Sequence, residues 1–381
     1  MKMSVFILVP FLFSFGACAA VRSEQKSGIQ PATEFDSFVA NIESDLKASV
    51  NGGTFCNRFW EHQGNTLPLC LKMPWESFSG PTAHATGSLF NADFGYVSLT
   101  YHYGNSTGVQ PLKAQKTSTG WRLDLDDPEF WEAVAKRDGW HSEQVDGFIM
   151  RFAVKPSESV TTKAIKAAVE ARVHVPRQLG VDYDEEFHLI FLNDAEQAAK
   201  VGYKLGNGNF ARDRMVLIDG VLTDDRDITG DLTHELGHVY TIFNRNWTES
   251  DQLQTNFFQI EGFATLLTIL RGAPFSDSQK HNLSIALRFM SEGLSIADIV
   301  GNEGFQKYNH KYDANASYLI AAAALEVIRQ KNGMPGLKEL WNDTLGASDQ
   351  EILELVLQKA ASDNKGLTEE ATEVLKHWSK I

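Results

Sequence analysis

Residues 232–240 read LTHELGHVY and place His234 and His238 four positions apart, with Glu235 between them. Positions i and i+4 of an α-helix lie on one face, so both imidazoles can reach the same point. Imidazole nitrogens bind zinc at about 2.0–2.1 Å, and a glutamate beside such ligands can accept a proton from water at the metal. The spacing therefore predicts a metal-binding helix with two histidine ligands and Glu235 as general base.

The residues around this motif indicate that the helix is buried. Val239 to Phe243 continues it with mostly apolar side chains, and we predict a helix over 231–243 with Asp231 near its N-terminus and a contribution from Asp227. Two histidines and a glutamate are costly on a buried helix unless they are paired or coordinated. The alternative is a capped or solvated helix with two ordinary histidines. Gly237 also predicts close approach of another backbone.

A catalytic metal site needs a third protein ligand. A third histidine six positions after the pair is excluded, because that position is Asn244. The segment 256–270, NFFQIEGFATLLTIL, predicts an apolar helix whose one charged residue is Glu261, and a buried carboxylate needs a partner. That partner is either the metal or an arginine or lysine from another element. Glu249 and Asp251 are rival ligands, but they lie in a polar loop too close to the histidine pair.

The combination of HELGH and, about two dozen residues later, EGFA resembles the gluzincin branch of zinc metallopeptidases, most of all its peptidase-MA-like members. The similarity extends over about 160–345 and includes the late segment YDANASYLIAAAALEVIRQKNGMPGLKELW. This resemblance implies a zinc ion, Zn2+, held by three residues: His234, His238 and Glu261. It also implies peptide-bond hydrolysis with Glu235 as general base, and it makes MVLIDG (215–220) the antiparallel edge strand that pairs with an extended substrate.

The same resemblance implies a donor for the oxyanion of the reaction. Tyr312 is the first choice because it precedes Ala316-Ser317 as the tyrosine of the family does, and His310 and Tyr318 are alternatives with similar chemistry. Thermolysin-like enzymes orient the first histidine with an aspartate four residues after the glutamate ligand. Here that position is Thr265, whose hydroxyl brings no charge.

The N-terminus predicts export. Residues 1–22 contain a basic start, an apolar run and small residues, as a signal peptide or lipoprotein signal does. Phe15-Gly16-Ala17-Cys18 resembles a lipobox, which would make Cys18 a lipid anchor; alternatively Ala17-Cys18-Ala19 is an ordinary cleavage site that discards Cys18. The simplest account of three cysteines then pairs Cys56 with Cys70 in a periplasmic, outer-membrane or secreted protein.

The predicted fold class is α+β, in two domains. Residues 23–155 predict a smaller, strand-rich α+β domain, with a helix over 34–50, strands at 96–103 and 147–154, and a helix beginning at Pro128. Residues 156–381 predict a zincin-like domain, which has a small mixed sheet with an edge strand, the active-site helix and a largely helical C-terminal part. In this domain strands are predicted at 186–193 and 215–220, and a helix at 162–176.

Composition narrows the class of partner. The 381 residues are 43% hydrophobic and 22% charged, as in proteins that form a core, and the formal charge of −14 argues against nucleic acid. We therefore predict an exported zinc metallopeptidase that acts on a peptide or protein substrate. The alternatives are a zinc-containing chaperone or assembly factor of the cell envelope and a catalytically silent peptide-binding protein with structural zinc.

Overall fold

The computed structural model confirms the α+β class. It describes residues 29–59, 79–89, 92–103, 106–124, 128–145, 147–182, 186–200, 209–212, 214–243, 247–248, 254, 256–309 and 315–380. The predicted export signal at 1–22, including Cys18, lies outside these residues, as does Cys70. Cys56 is fully buried and disulfide-bonded.

The N-terminal part consists of helices packed on an antiparallel sheet. Helix α1 spans Ile29–Lys47 and α2 spans Gly52–Phe59; the strands β1 to β4 pair in sequence order and span Ala85–Leu89, Phe94–Tyr103, Ser106–Thr117 and Gly120–Asp124. The apolar spacing that predicts α1 also describes its buried face, because its core residues recur every three or four positions: Phe35, Phe38, Ile42 and Leu46.

A second sheet precedes the histidine motif in the chain. Its strand order is β5-β6-β7-β9-β8, and the strands span His141–Val145, Phe148–Phe152, Phe187–Leu192, Met215–Asp219 and Phe210–Arg212 in that order. The central strands β6, β7 and β9 run parallel, and β5 and β8 are antiparallel to their neighbours. The strands predicted at 147–154, 186–193 and 215–220 are therefore confirmed.

The prediction that 215–220 forms the edge strand is wrong. Strand β9 is interior, since Leu189 of β7 pairs with Val216 on one side and Ala211 of β8 pairs with Val216 on the other. The short strand β8 forms one edge of the described sheet, and β5 forms the other. Only three residues form β8, so it is below the length at which alternation of apolar residues identifies a strand.

The predicted boundary at 156 falls inside this sheet. Strands β5 and β6 precede the boundary, but β6 pairs in parallel with β7 through Phe148 and Phe187. Residues 141–152, which belong to the predicted N-terminal domain, therefore form one sheet with strands of the predicted zincin-like domain. The strand predicted at 147–154 for the N-terminal domain is a buried strand of this second sheet, because Phe148, Met150 and Phe152 are all fully buried.

Helices cover both faces of the second sheet. Helix α3, Pro128–Asp138, packs with Trp131 and Val134 in the same apolar cluster as Ile190 of β7. Helix α4, Glu158–Leu179, is longer than predicted and lies against the histidine helix. Its buried side chains include alanines at helical spacing (Ala164, Ala167, Ala168 and Ala171), which permit close helix packing.

The remaining chain is almost entirely helical, as predicted. After the short helix α5 at Ala195–Lys200, the helices α6 to α13 span Ile228–His238, Phe257–Ile269, Asp277–Ser291, Ala297–Val300, Asn302–Asn309, Ala316–Asp343, Asp349–Ala360 and Asn364–Trp378. Helix α11 is interrupted at Gly333, where φ is 70° and ψ is −174°, and Pro335 opens the turn that follows. In the described part of the chain, no helix is both long and apolar enough to span a membrane.

Candidate metal centre

The histidine motif lies on α6. The Asp227 side chain caps this helix by accepting a hydrogen bond from the Gly230 N–H at 2.9 Å, so the helix begins at Ile228, three residues before the predicted start. Asp231 is therefore inside the helix. Residues 239–243 continue it as a π-helical turn directly after His238, and such turns are frequent at functional sites.

Glu261 is on α7, the helix predicted from the apolar segment 256–270. The Asn256 side chain caps it by accepting a hydrogen bond from the Gln259 N–H. Helix α7 packs against both α6 and α11. Gly262 permits the second contact, because a Cβ at this position would lie 2.7 Å from the Ala321 Cβ of α11. Close packing of α7 thus holds Glu261 towards α6.

The two histidines and the glutamate converge. The Glu261 Oε2 atom lies 3.2 Å from His234 Nε2 and 3.7 Å from His238 Nε2. One potential ligand atom from each residue lies within 4.8 Å of the others. The structure therefore brings together the three residues that the sequence predicts as metal ligands, across 27 positions of chain between His234 and Glu261.

Burial controls the charge of this cluster. All three side chains are almost completely inaccessible to solvent. Burial lowers the pKa of His234 to about 3, and burial together with the neighbouring His234 places the pKa of His238 well below its usual range. Both imidazoles are therefore neutral at physiological pH and have a lone pair available for a cation. Burial also raises the pKa of Glu261, and a hydrogen bond from Tyr318 acts in the opposite direction.

No arginine or lysine of the described chain forms an ion pair with Glu261; its charged-group contacts are the two histidines. Within the same part of the chain, both ring nitrogens of His238 and the Oε1 atom of Glu261 form no hydrogen bond. Buried polar atoms of native proteins nearly always have a partner. The alternative in which Glu261 pairs with a basic side chain is therefore excluded for the described residues.

The cluster fits a divalent metal ion. Ligand atoms about 2.1 Å from a tetrahedral ion lie roughly 3.4 Å from one another. The distances of 3.2 and 3.7 Å between the Glu261 oxygen and the two histidine nitrogens bracket this value. Two neutral imidazoles and one carboxylate are a donor set that zinc accepts at catalytic sites. The buried group could therefore bind a metal ion.

Glu235 and Tyr318 belong to the same site. Glu235 is fully buried. Burial, followed by the negative charges of Glu261 and Glu235, places the pKa of Tyr318 well above its usual range. The Tyr318 ring also stacks on His234, with 6.1 Å between ring centroids. Tyr318 thus keeps its hydroxyl proton at neutral pH and directs it towards Glu261.

Of the three candidates for an oxyanion donor, the structure describes one. Tyr312 and His310 lie outside the described residues, whereas Tyr318 is at the site, in the first turn of α11. The sequence signal for Tyr318 is its place directly before the apolar run LIAAAALEVI, which is typical of a buried helix. The rival ligands Glu249 and Asp251 also lie outside the described residues.

Thr265 does not orient His234. Its side chain forms no hydrogen bond in the described part of the chain. Within the same residues, the His234 ring is hydrogen-bonded to Glu261 through Nε2 and Oε2. The sequence prediction did not identify the residues that fix the start of α6. Arg226 pairs with Asp231 at 2.7 Å, and Arg271, which follows α7, donates two hydrogen bonds to Asp227. The motif itself contains no signal for these arginines.

Gly262→Ala is expected to destabilise the protein by about 1–3 kcal/mol and to weaken metal binding. The added methyl group would collide with Ala321, including its backbone carbon at 3.1 Å, so α7 and Glu261 must move away from α11. Gly237→Ala is the matched control within the motif, because the atom nearest to its Cβ would be Leu267 Cδ1, the end of a side chain, at 3.1 Å. Urea unfolding and zinc competition with a chromophoric chelator compare the two variants, and equal losses would contradict this account of Gly262.

Comparison with known proteins gives no assignment for this geometry. No known protein family matches the chain, and no curated protein is significantly similar to it.

Proposed function

We propose that this protein is an exported zinc-dependent peptidase of the gluzincin type. The observation that supports this proposal best is the buried cluster of His234, His238 and Glu261, in which one potential ligand atom of each residue lies within 4.8 Å of the others and the His238 ring nitrogens form no hydrogen bond. Glu235, directly after the first of these ligands, distinguishes the cluster from a purely structural site. A structural zinc ion has no use for a neighbouring base, whereas hydrolysis requires one.

Each residue of the site has a defined role in this proposal. Bound zinc would polarise the scissile carbonyl group and lower the pKa of water to about 7. Glu235 accepts a proton and passes it to the leaving amine. Tyr318 retains its proton and can donate a hydrogen bond to the oxyanion, a role for which Tyr312 also remains a prediction.

Complete burial of the cluster also fits two alternative functions: His238, Glu235 and Glu261 have no exposed surface. A closed centre fits a structural zinc ion in a silent peptide-binding protein, and it fits an envelope chaperone that binds peptides without cutting them. Both alternatives share with the peptidase an exported location, a possible lipid anchor through Cys18 and a peptide partner. They differ from the peptidase in turnover and in the ease of metal removal.

The test uses purified full-length mature protein. Elemental analysis is expected to find one zinc ion per chain, and incubation with a mixture of denatured proteins is expected to produce new N-termini detectable by mass spectrometry. A chelator should stop cleavage, and added zinc should restore it. Stoichiometric zinc without cleavage would favour the chaperone or the silent protein, and absence of a stoichiometric metal would refute the whole proposal.

A further inference from the structure

An ion pair joins the ends of the two helices that carry the metal ligands. Asp227 is at the N-terminus of α6, and Arg271 follows the C-terminus of α7. The Arg271 Nη1 atom donates to Asp227 Oδ1 at 3.1 Å, and its Nη2 atom donates to Oδ2 at 2.7 Å. Such a two-point contact between a guanidinium group and a carboxylate fixes the direction of the pairing as well as its distance.

Each partner of this pair is held to the backbone of its own helix. Asp227 Oδ1 also accepts the capping hydrogen bond from the Gly230 N–H at 2.9 Å, so the carboxylate cannot turn away without uncapping α6. The Arg271 N–H donates to the Thr268 carbonyl group at 3.4 Å, in the last turn of α7. Among the described residues, Asp227 is the only acceptor for the Arg271 guanidinium group, whose Nε atom is buried without a partner. The pair therefore connects one helix end to the other directly.

The position of the pair matches the positions of the ligands along the two antiparallel helices. At 1.5 Å per residue, the two histidines lie about 10 and 16 Å along α6 from Asp227, and Glu261 lies about 15 Å along α7 from Arg271. The pair thus aligns Glu261 between His234 and His238, where its Oε2 atom lies 3.2 and 3.7 Å from their Nε2 atoms. Sliding α7 by one residue, about 1.5 Å, would exceed the tolerance of about 0.2 Å in a metal–ligand distance.

Apolar packing between the helices does not fix this register by itself. At Gly237 of α6, a Cβ would lie 3.1 Å from Leu267 Cδ1 and 3.4 Å from Ala264 Cα of α7, so the two helices are close. Apolar contact is non-directional, and it opposes separation of the helices more than a small slide. The Asp227 side chain is 37% exposed, so its ion pair contributes little to the free energy of unfolding. The main consequence of the pair is therefore alignment.

We propose that Asp227 and Arg271 are positioning residues that set the register between α6 and α7 and thereby the affinity of the metal centre for zinc. This inference rests on the proposed function, because it concerns the same metal centre. Neither residue is among the three ligands; both act through the helices on which the ligands lie. Loss of the pair leaves every ligand in the chain but lets Glu261 move relative to the histidines.

The test measures zinc affinity by competition with a chromophoric chelator. Arg271→Gln removes the pair and leaves the Asp227 cap of α6, and it is expected to weaken zinc binding about tenfold, the lower end of the loss when a residue that supports metal ligands is replaced. Arg271→Lys keeps the charge but not the two-point contact, so it should not restore the affinity. Arg329→Gln is the matched control, because Arg329 forms the same contact with Glu326 within the single helix α11; its zinc affinity should equal that of the wild type.

Urea unfolding of the same variants separates alignment from stability. A pair that only stabilised the fold would lower the urea midpoint of Arg271→Gln and leave its zinc affinity unchanged. That result, full recovery of affinity in Arg271→Lys, or an equal loss in Arg329→Gln would overturn the positioning role.

A measurement without metal distinguishes this inference from the proposed function. In crystal structures of the metal-free protein, Glu261 Oε2 should lie about 1 Å farther from the two histidine nitrogens in Arg271→Gln than in the wild type, which is less than the rise of one residue. Unchanged distances would contradict the role of the pair. If the wild-type protein binds no zinc, the proposed function fails, and these distances alone decide whether the pair sets the register of the helices.

Discussion

Glu235→Gln is expected to lower turnover by about 10²- to 10⁴-fold, the usual contribution of a general base. Glutamine has nearly the same shape as glutamate but cannot accept the proton. Glu235 is fully buried and is not one of the residues that converge as ligands, so zinc content and affinity should match those of the wild type. Single-turnover kinetics on metal-replete protein, with elemental analysis of the same sample, measures both quantities.

The informative control for this variant is thermal unfolding in the presence of zinc. A variant that retains zinc and unfolds at the wild-type temperature has lost chemistry rather than structure. Unchanged turnover in that variant would remove Glu235 from the role of base. Loss of zinc would instead show that Glu235 helps to form the metal site.

Glu261→Gln is expected to weaken zinc binding by about 10²- to 10³-fold. The basis is the roughly 10–16 kcal/mol with which four ligands hold structural zinc, or about 3 kcal/mol for each ligand, where 1.4 kcal/mol is tenfold. The carboxylate accounts for the anionic part of the site, and its Oε2 atom is the one that lies near both histidines. Zinc should therefore raise the melting temperature of the wild type much more than that of the variant.

Glu326→Gln is the matched control for this measurement. Glu326 is also a buried glutamate, 6% exposed, but its carboxylate pairs with Arg329 on α11 and not with the metal ligands. Its replacement should leave the zinc-dependent shift intact. If Glu261→Gln and Glu326→Gln respond equally to zinc, Glu261 is not a ligand and the third donor must be sought elsewhere in the chain.

The metal cluster could be predicted from sequence because its residues are polar or charged and yet lie in apolar segments. Histidines four apart on an apolar helix, and one acid in the apolar segment 256–270, are costly unless something compensates them. The structure brings these residues together, with Oε2 of Glu261 within 3.7 Å of both histidines. Apolar periodicity predicts α1 because its apolar residues lie on the buried face, whereas α7 is predicted from a nearly continuous apolar segment and is buried on almost all sides.

Other features depend on contacts that a linear pattern does not encode. The strand β8 has three residues, and its pairing with β9 is what makes 215–220 an interior strand. Strand β6 belongs to the second sheet because Phe148 pairs with Phe187 of β7, which is distant in sequence. The change in composition near 156 does not predict this pairing. Arg226 and Asn209 are separated by a hairpin, and neither spacing nor hydropathy predicts their hydrogen bond.

The shortness of β8 has a consequence for contacts between copies of the protein. An unpaired strand edge is a template on which neighbouring molecules can add strands and form aggregates. Within the described sheet, the β8 edge spans only Phe210–Arg212, whereas β5 at the other edge spans His141–Val145. An edge of three residues is shorter than the usual strand of about five or six, so β8 offers little length on which another molecule can add a strand.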